Sequence, residues 1–198
     1  LEQILAACAL TACSYLALTG YDAVALRQLR VHVPYRITAL GSFTSFAISF
    51  TLGFPLITAA TVRYWIYSRV GLSAAKVASL TVIAGLTFWL GMALVIGIAM
   101  VIQPDEITDV NRLKGWINLI IGLSILGAMM FYLAWVSRGS RRVSVQGLRL
   151  ELPGLSLTLS QLCLGVIDLA CAAGALYVIL PAGHGLDFIS FCAAYVLG

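Results

Sequence analysis

The sequence predicts an all-α, polytopic helical membrane protein, and its composition and apolar runs are the basis of that prediction. Of the 198 residues, 61% are hydrophobic and only 10% are charged, which is more apolar surface than a soluble domain of this size can bury. Several stretches exceed the roughly 18 uncharged residues that cross a bilayer. The net charge of +4 is small and scattered, so nucleic acid is not an expected partner.

Four apolar runs are predicted to cross the membrane, and a further one begins near the end of the chain. They lie near residues 1–19, 77–102, 116–137, 160–180 and 188–198. A polar connector follows the second run, and leucines alternate with charged residues at 148–152, which predicts a short extended piece at the membrane interface. Neither end resembles a natural terminus, so we expect a fragment of a longer chain.

The stretch FTSFAISFTLGFPLITAATVRYWIY is apolar enough to enter a bilayer, but Gly53, Phe54 and Pro55 interrupt it. Its length permits a crossing. If it crosses, the two sides of the membrane carry five and seven basic residues; if residues 37–62 form a re-entrant hairpin, they carry ten and two. The positive-inside rule therefore favours the hairpin, with the basic loops 20–36, 63–76 and 138–151 on the cytoplasmic side. A turn at membrane depth needs a protein or a wet cavity around it.

A weak internal repeat adds to this prediction. Shifted by 145 residues, FTSFAISFTLG (43–53) aligns with FISFCAAYVLG (188–198), with identical residues at five positions and an aromatic residue at Phe50 and Tyr195. The first copy enters from the basic side and the second from the acidic side. This pattern predicts an inverted-repeat architecture, in which broken helices meet near the bilayer midplane and form binding sites.

Three charged residues are candidates for a site. Asp168 lies in the middle of a predicted span, where an unpaired carboxylate costs about 2.5–3.5 kcal/mol, so it should face a partner or water. The alternative is an interhelical hydrogen bond. Arg63 follows the interrupted stretch and suits a lipid phosphate, or it is an interface anchor. Asp22 suits a basic headgroup or a nearby arginine, or it is a helix-terminal acid.

Other chemistry is not indicated. The five cysteines fall within apolar runs without a CxxC motif and are interpreted as small buried residues. We find no nucleophile constellation, phosphate loop or metal motif, so no cofactor, metal or catalytic residue is predicted.

The segments YDAVALRQLRVHVPYR, SFTSFAISFTLGF and TVRYWIYSRVGLS resemble, in order and spacing, the start of the flippase domain of the multiple peptide resistance factor (MprF) family, within the lysylphosphatidylglycerol synthase transmembrane group. These motifs cover residues 21–73; the remainder matches mainly in hydropathy and in LPGLSLTLSQLCLGVIDL. Pro55 stands where the family is usually richer in glycine.

The resemblance implies that residues 1–198 are a flippase-domain fragment in a bacterial inner membrane. It would move aminoacylated phosphatidylglycerol, usually the lysyl form, to the outer leaflet. The changed headgroup charge would weaken the attraction of cationic antimicrobial peptides to the cell surface. Asp22 and Arg63 match the family's important acidic and basic positions, and Asp168 matches a carboxylate in a later span. Aminoacylation belongs to a cytosolic synthase half that this chain lacks.

The expected partners are the membrane, anionic and aminoacylated phospholipids, and a second copy in a homodimer. A second hypothesis is a membrane module that anchors or regulates a synthase without moving lipid. An ion channel fits poorly, because no repeated selectivity-filter segment is present.

Overall fold

The computed structural model describes residues 1–138, 142–145, 148–151, 154–181 and 187–197, without the side chains of 55, 56, 109, 110, 142–145 and 148–151. Its helices are α1 (Glu2–Gln28), α2 (Tyr35–Leu52), α3 (Pro55–Tyr67), α4 (Ala74–Ile102), α5 (Glu106–Asn111), α6 (Gly115–Ser137), α7 (Leu155–Tyr177) and α8 (Phe188–Leu197). A 3₁₀ turn covers Ser68–Val70. Strands β1 (Arg142–Val145) and β2 (Leu148–Glu151) form a short antiparallel hairpin, which confirms the extended piece predicted in this loop.

The fold is that of a multi-pass helical membrane protein. Helices α1, α4, α6 and α7 are long and apolar enough to cross a bilayer. Large apolar side chains on the outside of the bundle remain exposed, among them Trp89 at 64% and Phe131 at 74%. Such extensive apolar exposure marks a surface that contacts lipid. The predicted fold class is therefore confirmed.

Helix directions define two ends of the bundle. Helix α7 runs antiparallel to α1, because Leu164 meets Gly20 and Leu10 meets Gly174. Helix α4 is antiparallel to α1 as well: its first turns share a cluster with the last turns of α1, and α6 runs back along α4. We call the end where α1 finishes and α4 and α7 begin the Arg30 end, and the opposite end the Asp187 end.

Helices α2 and α3 form an antiparallel hairpin between α1 and α4. Thr58 Oγ1 lies 3.0 Å from Ser49 Oγ beside the turn, and Tyr67 Oη lies 3.2 Å from the Thr38 carbonyl oxygen at the open end. The 13 residues of α3 span only about 20 Å, less than a hydrocarbon core of about 30 Å. The hairpin thus begins and finishes at the Arg30 end, as the distribution of basic residues predicted.

The turn of this hairpin requires its glycine. Gly53 has φ 75° and ψ −176°, a combination that is essentially confined to glycine. Phe54 follows in the left-handed region with φ 50°, and it is 79% exposed. The proline after it begins α3, a position where its missing N–H has no intrahelical acceptor to lose.

Helix α8 enters from the other end. Its first turns contact the end of α7, where Tyr177 packs edge-on against Phe188 and Phe191, and Ala193 joins the last turns of α4. Helices α2 and α8 therefore run in opposite directions along the bundle. Residues 43–52 and 188–197 are helical in both copies of the predicted repeat, while Gly198, the last residue of the alignment, lies outside the described residues.

Close contact of two glycines brings α4 and α7 together. A methyl group built on Gly91 would lie 2.6 Å from backbone atoms of Gly165, and one built on Gly165 would lie 2.8 Å from the Gly91 Cα. These helices approach as closely as their backbones allow, which fixes α7 against the centre of the bundle.

Several boundaries predicted from the sequence were wrong. The first span does not finish at residue 19, because α1 continues to Gln28 through alanine, leucine and arginine, which favour helix. The loop predicted at 20–36 is therefore reduced to 29–34, and Arg63 lies inside α3 instead of in a loop. Helix α5 was not predicted. Cys8, Cys13 and Cys163, which the sequence predicted to be buried, are exposed on the outside of the bundle. Arg141 of the predicted loop 138–151 lies outside the described residues.

Candidate functional site

Asp168 is a buried carboxylate at the contact between α7 and α1. Its side chain is 5% exposed. Ser14 Oγ donates a hydrogen bond to Oδ1 at 2.6 Å and Tyr21 Oη donates one to Oδ2 at 2.9 Å. Both donors are neutral hydroxyls, and within the described part of the chain no basic side chain pairs with this carboxylate. Asp168 is therefore a buried carboxyl group that two hydroxyl donors hold in place and that has no cationic partner among the described residues.

A cavity of about 290 Å³ opens beside this carboxylate. Four aromatic side chains line it together with small and aliphatic residues of α1 and α7. These four are Tyr15, Phe50, Phe88 and Tyr195. Its volume lies near the lower limit of about 300–1,000 Å³ for ligand pockets, so it suits a headgroup better than a whole lipid.

The two halves of the predicted repeat meet at this cavity. Phe50 comes from α2, which starts at the Arg30 end, and Tyr195 comes from α8, which starts at the Asp187 end. The same two residues are matched by the shift of 145 in the sequence. Opposed half-helices that meet beside a buried charge are the arrangement found at the substrate sites of inverted-repeat transporters.

The second site is a buried ion pair that joins the hairpin to α1. Arg63 reaches Asp22 with Nε at 3.0 Å from Oδ2 and Nη2 at 2.7 Å from Oδ1, which is a bidentate ion pair. Tyr67 Oη donates to Asp22 Oδ2 at 2.8 Å, and the Arg63 guanidinium stacks over the ring of Phe46 at 4.9 Å. Asp22 is 0% and Arg63 2% exposed. This pair ties α3 to α1 inside the protein.

The sites predicted from the sequence fall into two groups. The structure brings Asp22 and Arg63 together and places Asp168 apart from them. Of the two partners considered for Asp22, the nearby arginine is the one it contacts, so it is not a helix-terminal acid without a partner. Burial of Arg63 also excludes the interface anchor, which requires an exposed guanidinium. Whether these three residues bind lipid stays a prediction.

Residues that sequence reasoning missed complete both sites. Ser14 and Tyr21 are seven positions apart and so lie two turns apart on one face of α1. That spacing opposite a mid-span acid is a weak signal that could have been used. Tyr67 is four residues after Arg63 on α3, and this spacing places both on one face of the helix, a signal that could also have been used. Phe46 gave no signal, because its position beside Arg63 depends on how the hairpin closes.

A polar cluster joins α8 to the end of α4. The Ser190 hydroxyl lies 2.6 Å from Gln103 Oε1 and hydrogen-bonds the Glu106 carboxylate. Asp187 accepts a hydrogen bond from the Ile189 N–H at 2.9 Å. This backbone donor, with a contribution from the Gln103 side chain, holds the pKa of Asp187 below its ordinary value.

Comparison with known proteins finds no family model that matches this chain. "Uncharacterized protein slr0712" of Synechocystis sp. (strain ATCC 27184 / PCC 6803 / Kazusa) is 30% identical over 195 residues. The alignment covers 98% of this chain and 61% of the relative. The chain thus spans about three fifths of the length of a protein that its name describes as uncharacterized.

Proposed function

We propose that this protein moves aminoacylated phosphatidylglycerol, in particular the lysyl form, between the leaflets of a bacterial inner membrane. One observation carries the proposal: a buried carboxylate that has no cationic partner among the described residues lines a headgroup-sized cavity between α1 and α7. A second support is the resemblance of residues 21–73 to the MprF flippase domain.

The chemistry of the cavity suits a cationic headgroup. The lysyl group carries ammonium charges, and Asp168 offers the opposite charge with its orientation fixed by Ser14 and Tyr21. Aromatic walls add cation–π attraction, about 0.5–2 kcal/mol for an ammonium over each suitably placed ring. Release of the headgroup remains easy, because the two hydroxyl donors satisfy the carboxylate when the cation leaves.

Access from both ends follows from the opposed helices. In this proposal the α2–α3 hairpin closes the cavity toward the Arg30 end and α8 closes it toward the Asp187 end, since Phe50 of α2 and Tyr195 of α8 line it. A movement of either element exposes the cavity to one leaflet at a time, which is the essence of alternating access. Basic residues at the Arg30 end, such as Arg27, Arg69 and Lys76, assign that end to the cytoplasm by the positive-inside rule.

Arg63 takes the phosphate in this proposal. A phosphate diester presents two oxygens to the guanidinium fork, as the Asp22 carboxylate does. Lipid entry therefore exchanges one bidentate partner of Arg63 for another, and the hairpin must separate from α1 for the exchange to occur. The ion pair is the resting state of this exchange.

Transport in reconstituted vesicles tests the proposal without any synthase. The purified chain is placed in vesicles with fluorescent lysyl-phosphatidylglycerol, and an impermeant quencher reports lipid that reaches the outer leaflet. Asp168→Asn is nearly isosteric and keeps hydrogen bonding to Ser14 and Tyr21 possible. We expect it to fold normally and to lower the transport rate to that of protein-free vesicles.

Asp105→Asn is the matched control, since it removes an exposed carboxylate at the Asp187 end and should leave transport unchanged. Full transport by a well-folded Asp168→Asn protein would reject the proposal. That result would favour the second hypothesis, a membrane module that anchors or regulates a synthase, in which Asp168 only joins α1 to α7.

A further inference from the structure

A second cavity, of about 490 Å³, lies at the Arg30 end between the last turn of α1 and the first turn of α2. Arg27, Arg30 and His32 line it together with Tyr35 and Thr38. The remaining described residues that line it are apolar, and none of the described lining residues is a carboxylate. The cavity is therefore basic, whereas the cavity beside Asp168 is acidic.

The backbone adds to this positive character. Helix α2 begins at Tyr35 after Pro34, and no side chain caps its first amides. The N-terminus of an 18-residue helix carries a partial positive charge and N–H groups that lack intrahelical acceptors. Guanidinium and imidazole donors thus line one concave surface beside a helix N-terminus, and phosphate oxygens accept hydrogen bonds from donors of this kind.

We propose that this cavity binds the phosphate of an anionic phospholipid such as phosphatidylglycerol. A lipid is favoured over a soluble ion because the outer face of α2 continues from the cavity as an apolar surface. On that face Tyr35 is 58%, Leu40 59% and Phe43 49% exposed, so acyl chains have a surface to lie on. Basic pockets between membrane helices are a recognised type of headgroup site.

The sign of the charge sets the specificity. Phosphatidylglycerol carries a net negative charge, and its phosphate meets the guanidinium and imidazole groups that line this cavity. The lysyl form adds ammonium groups, and none of the described residues that line this cavity offers them a carboxylate. The site thus distinguishes the unmodified lipid from the aminoacylated lipid, and it does so whether or not the protein transports either one.

Native mass spectrometry of the detergent-solubilised chain tests this inference. Phosphatidylglycerol is added at fixed concentration, with zwitterionic phosphatidylcholine as the neutral comparison, and the lipid-bound fraction is recorded. We expect retention of phosphatidylglycerol only. Arg27→Gln should weaken binding about fivefold, and combination with His32→Gln should weaken it further. Arg27→Lys, which keeps the charge, should retain most of the binding and shows that the position tolerates substitution.

Arg69→Gln is the matched control, because Arg69 is exposed at the same end and outside the cavity. Equal weakening by Arg69→Gln and Arg27→Gln would overturn the site in favour of general surface attraction. Unchanged binding in the Arg27→Gln, His32→Gln double variant would overturn it as well. Displacement of the lipid by millimolar inorganic phosphate would overturn the lipid assignment and identify a site for soluble phosphate.

Discussion

Tyr21 and Asp22 are neighbours in α1, yet their polar groups belong to two different sites. The Tyr21 hydroxyl donates to Asp168 on α7 at 2.9 Å, and the Asp22 carboxylate accepts the Arg63 guanidinium of α3 at 2.7 Å. Phe46 lies between them, with its ring edge-on to Tyr21 at 5.9 Å and beneath Arg63. A shift of α1 therefore changes both sites together.

The Asp22–Arg63 pair should dominate the stability of the hairpin. Arg63→Gln leaves the Asp22 carboxylate buried without a cation, so we expect a loss of about 3–5 kcal/mol in the free energy of unfolding. Adding Asp22→Asn removes the isolated charge and should restore much of that loss. Arg69 is an exposed arginine at the Arg30 end of the bundle, so Arg69→Gln should change the free energy of unfolding by less than about 0.5 kcal/mol.

Denaturant unfolding in detergent, followed by circular dichroism, measures these differences. Equal stability of the Arg63→Gln and Arg69→Gln proteins would show that the buried pair contributes nothing to the fold. A double variant that is no more stable than Arg63→Gln would show that the cost lies in lost packing of the guanidinium and not in the unpaired acid.

The glycine contact between α4 and α7 offers a second test. Gly91→Ala would place a methyl group 2.6 Å from the Gly165 backbone, and backbone cannot rotate aside as a side chain can. We expect a loss of about 1–3 kcal/mol in unfolding free energy. Gly85→Ala on the same helix meets nothing within 4 Å and should be neutral or stabilising by up to about 1 kcal/mol, because alanine favours helix.

Thermal unfolding of the two variants in one detergent is a direct comparison. If both alanines had the same effect, α4 and α7 would not be in backbone contact at Gly91. Separation of these two helices would also remove the wall that α7 provides to the cavity beside Asp168.

Much of the fold could be predicted from the sequence because hydropathy and charge act over whole segments. Four spans follow from apolar length, and the return of the hairpin follows from the side on which arginines are placed. Boundaries were less certain. The α1 helix continues past Gly20 through residues that favour helix, and Ala25 and Leu26 of its last turns are also buried against α4, a stabilisation that depends on tertiary packing.

The candidate site could be predicted only in part. Asp168 is visible in the sequence because a carboxylate in mid-span is costly wherever it points. The pairing of Asp22 with Arg63 is not, since 41 positions separate them and their meeting depends on the Gly53 turn. The aromatic walls are hidden for the same reason: Phe50 and Tyr195 resemble many lipid-facing aromatics until two helices bring them to one cavity.

Helix α8 should respond to pH through Asp187. The folded state lowers the pKa of this carboxyl, so its contribution to stability is complete above the unfolded value near 4 and is lost as pH falls through the lower, folded value. Hydrogen exchange at the first amides of α8 should therefore accelerate only in acid. Asp187→Ala should show fast exchange at all pH values, whereas Asp187→Asn keeps a capping oxygen and should be slow and independent of this titration.

Exchange at the first amides of α7 is the internal reference, because the N-cap of that helix is Gly154, which offers no side-chain cap. An acid response of the same size at both helices would reflect general loosening and would contradict a role for Asp187.

The last prediction concerns which sides of the membrane the two ends of the hairpin face. His32 lies before α2 and Arg69 lies after α3, and both are exposed at the Arg30 end of the bundle. Lys114 is exposed at the opposite end. With the native cysteines replaced, single cysteines at these three positions are treated in intact cells with a membrane-impermeant thiol reagent. Because the hairpin returns to its starting end, His32→Cys and Arg69→Cys should behave alike and Lys114→Cys should behave oppositely. If the Arg30 end is cytoplasmic, only Lys114→Cys labels from outside, and the other two label after the cells are opened. Labelling of His32→Cys and Arg69→Cys from different sides would mean that residues 35–67 cross the bilayer, and the hairpin geometry around Asp22 and Arg63 would then be wrong.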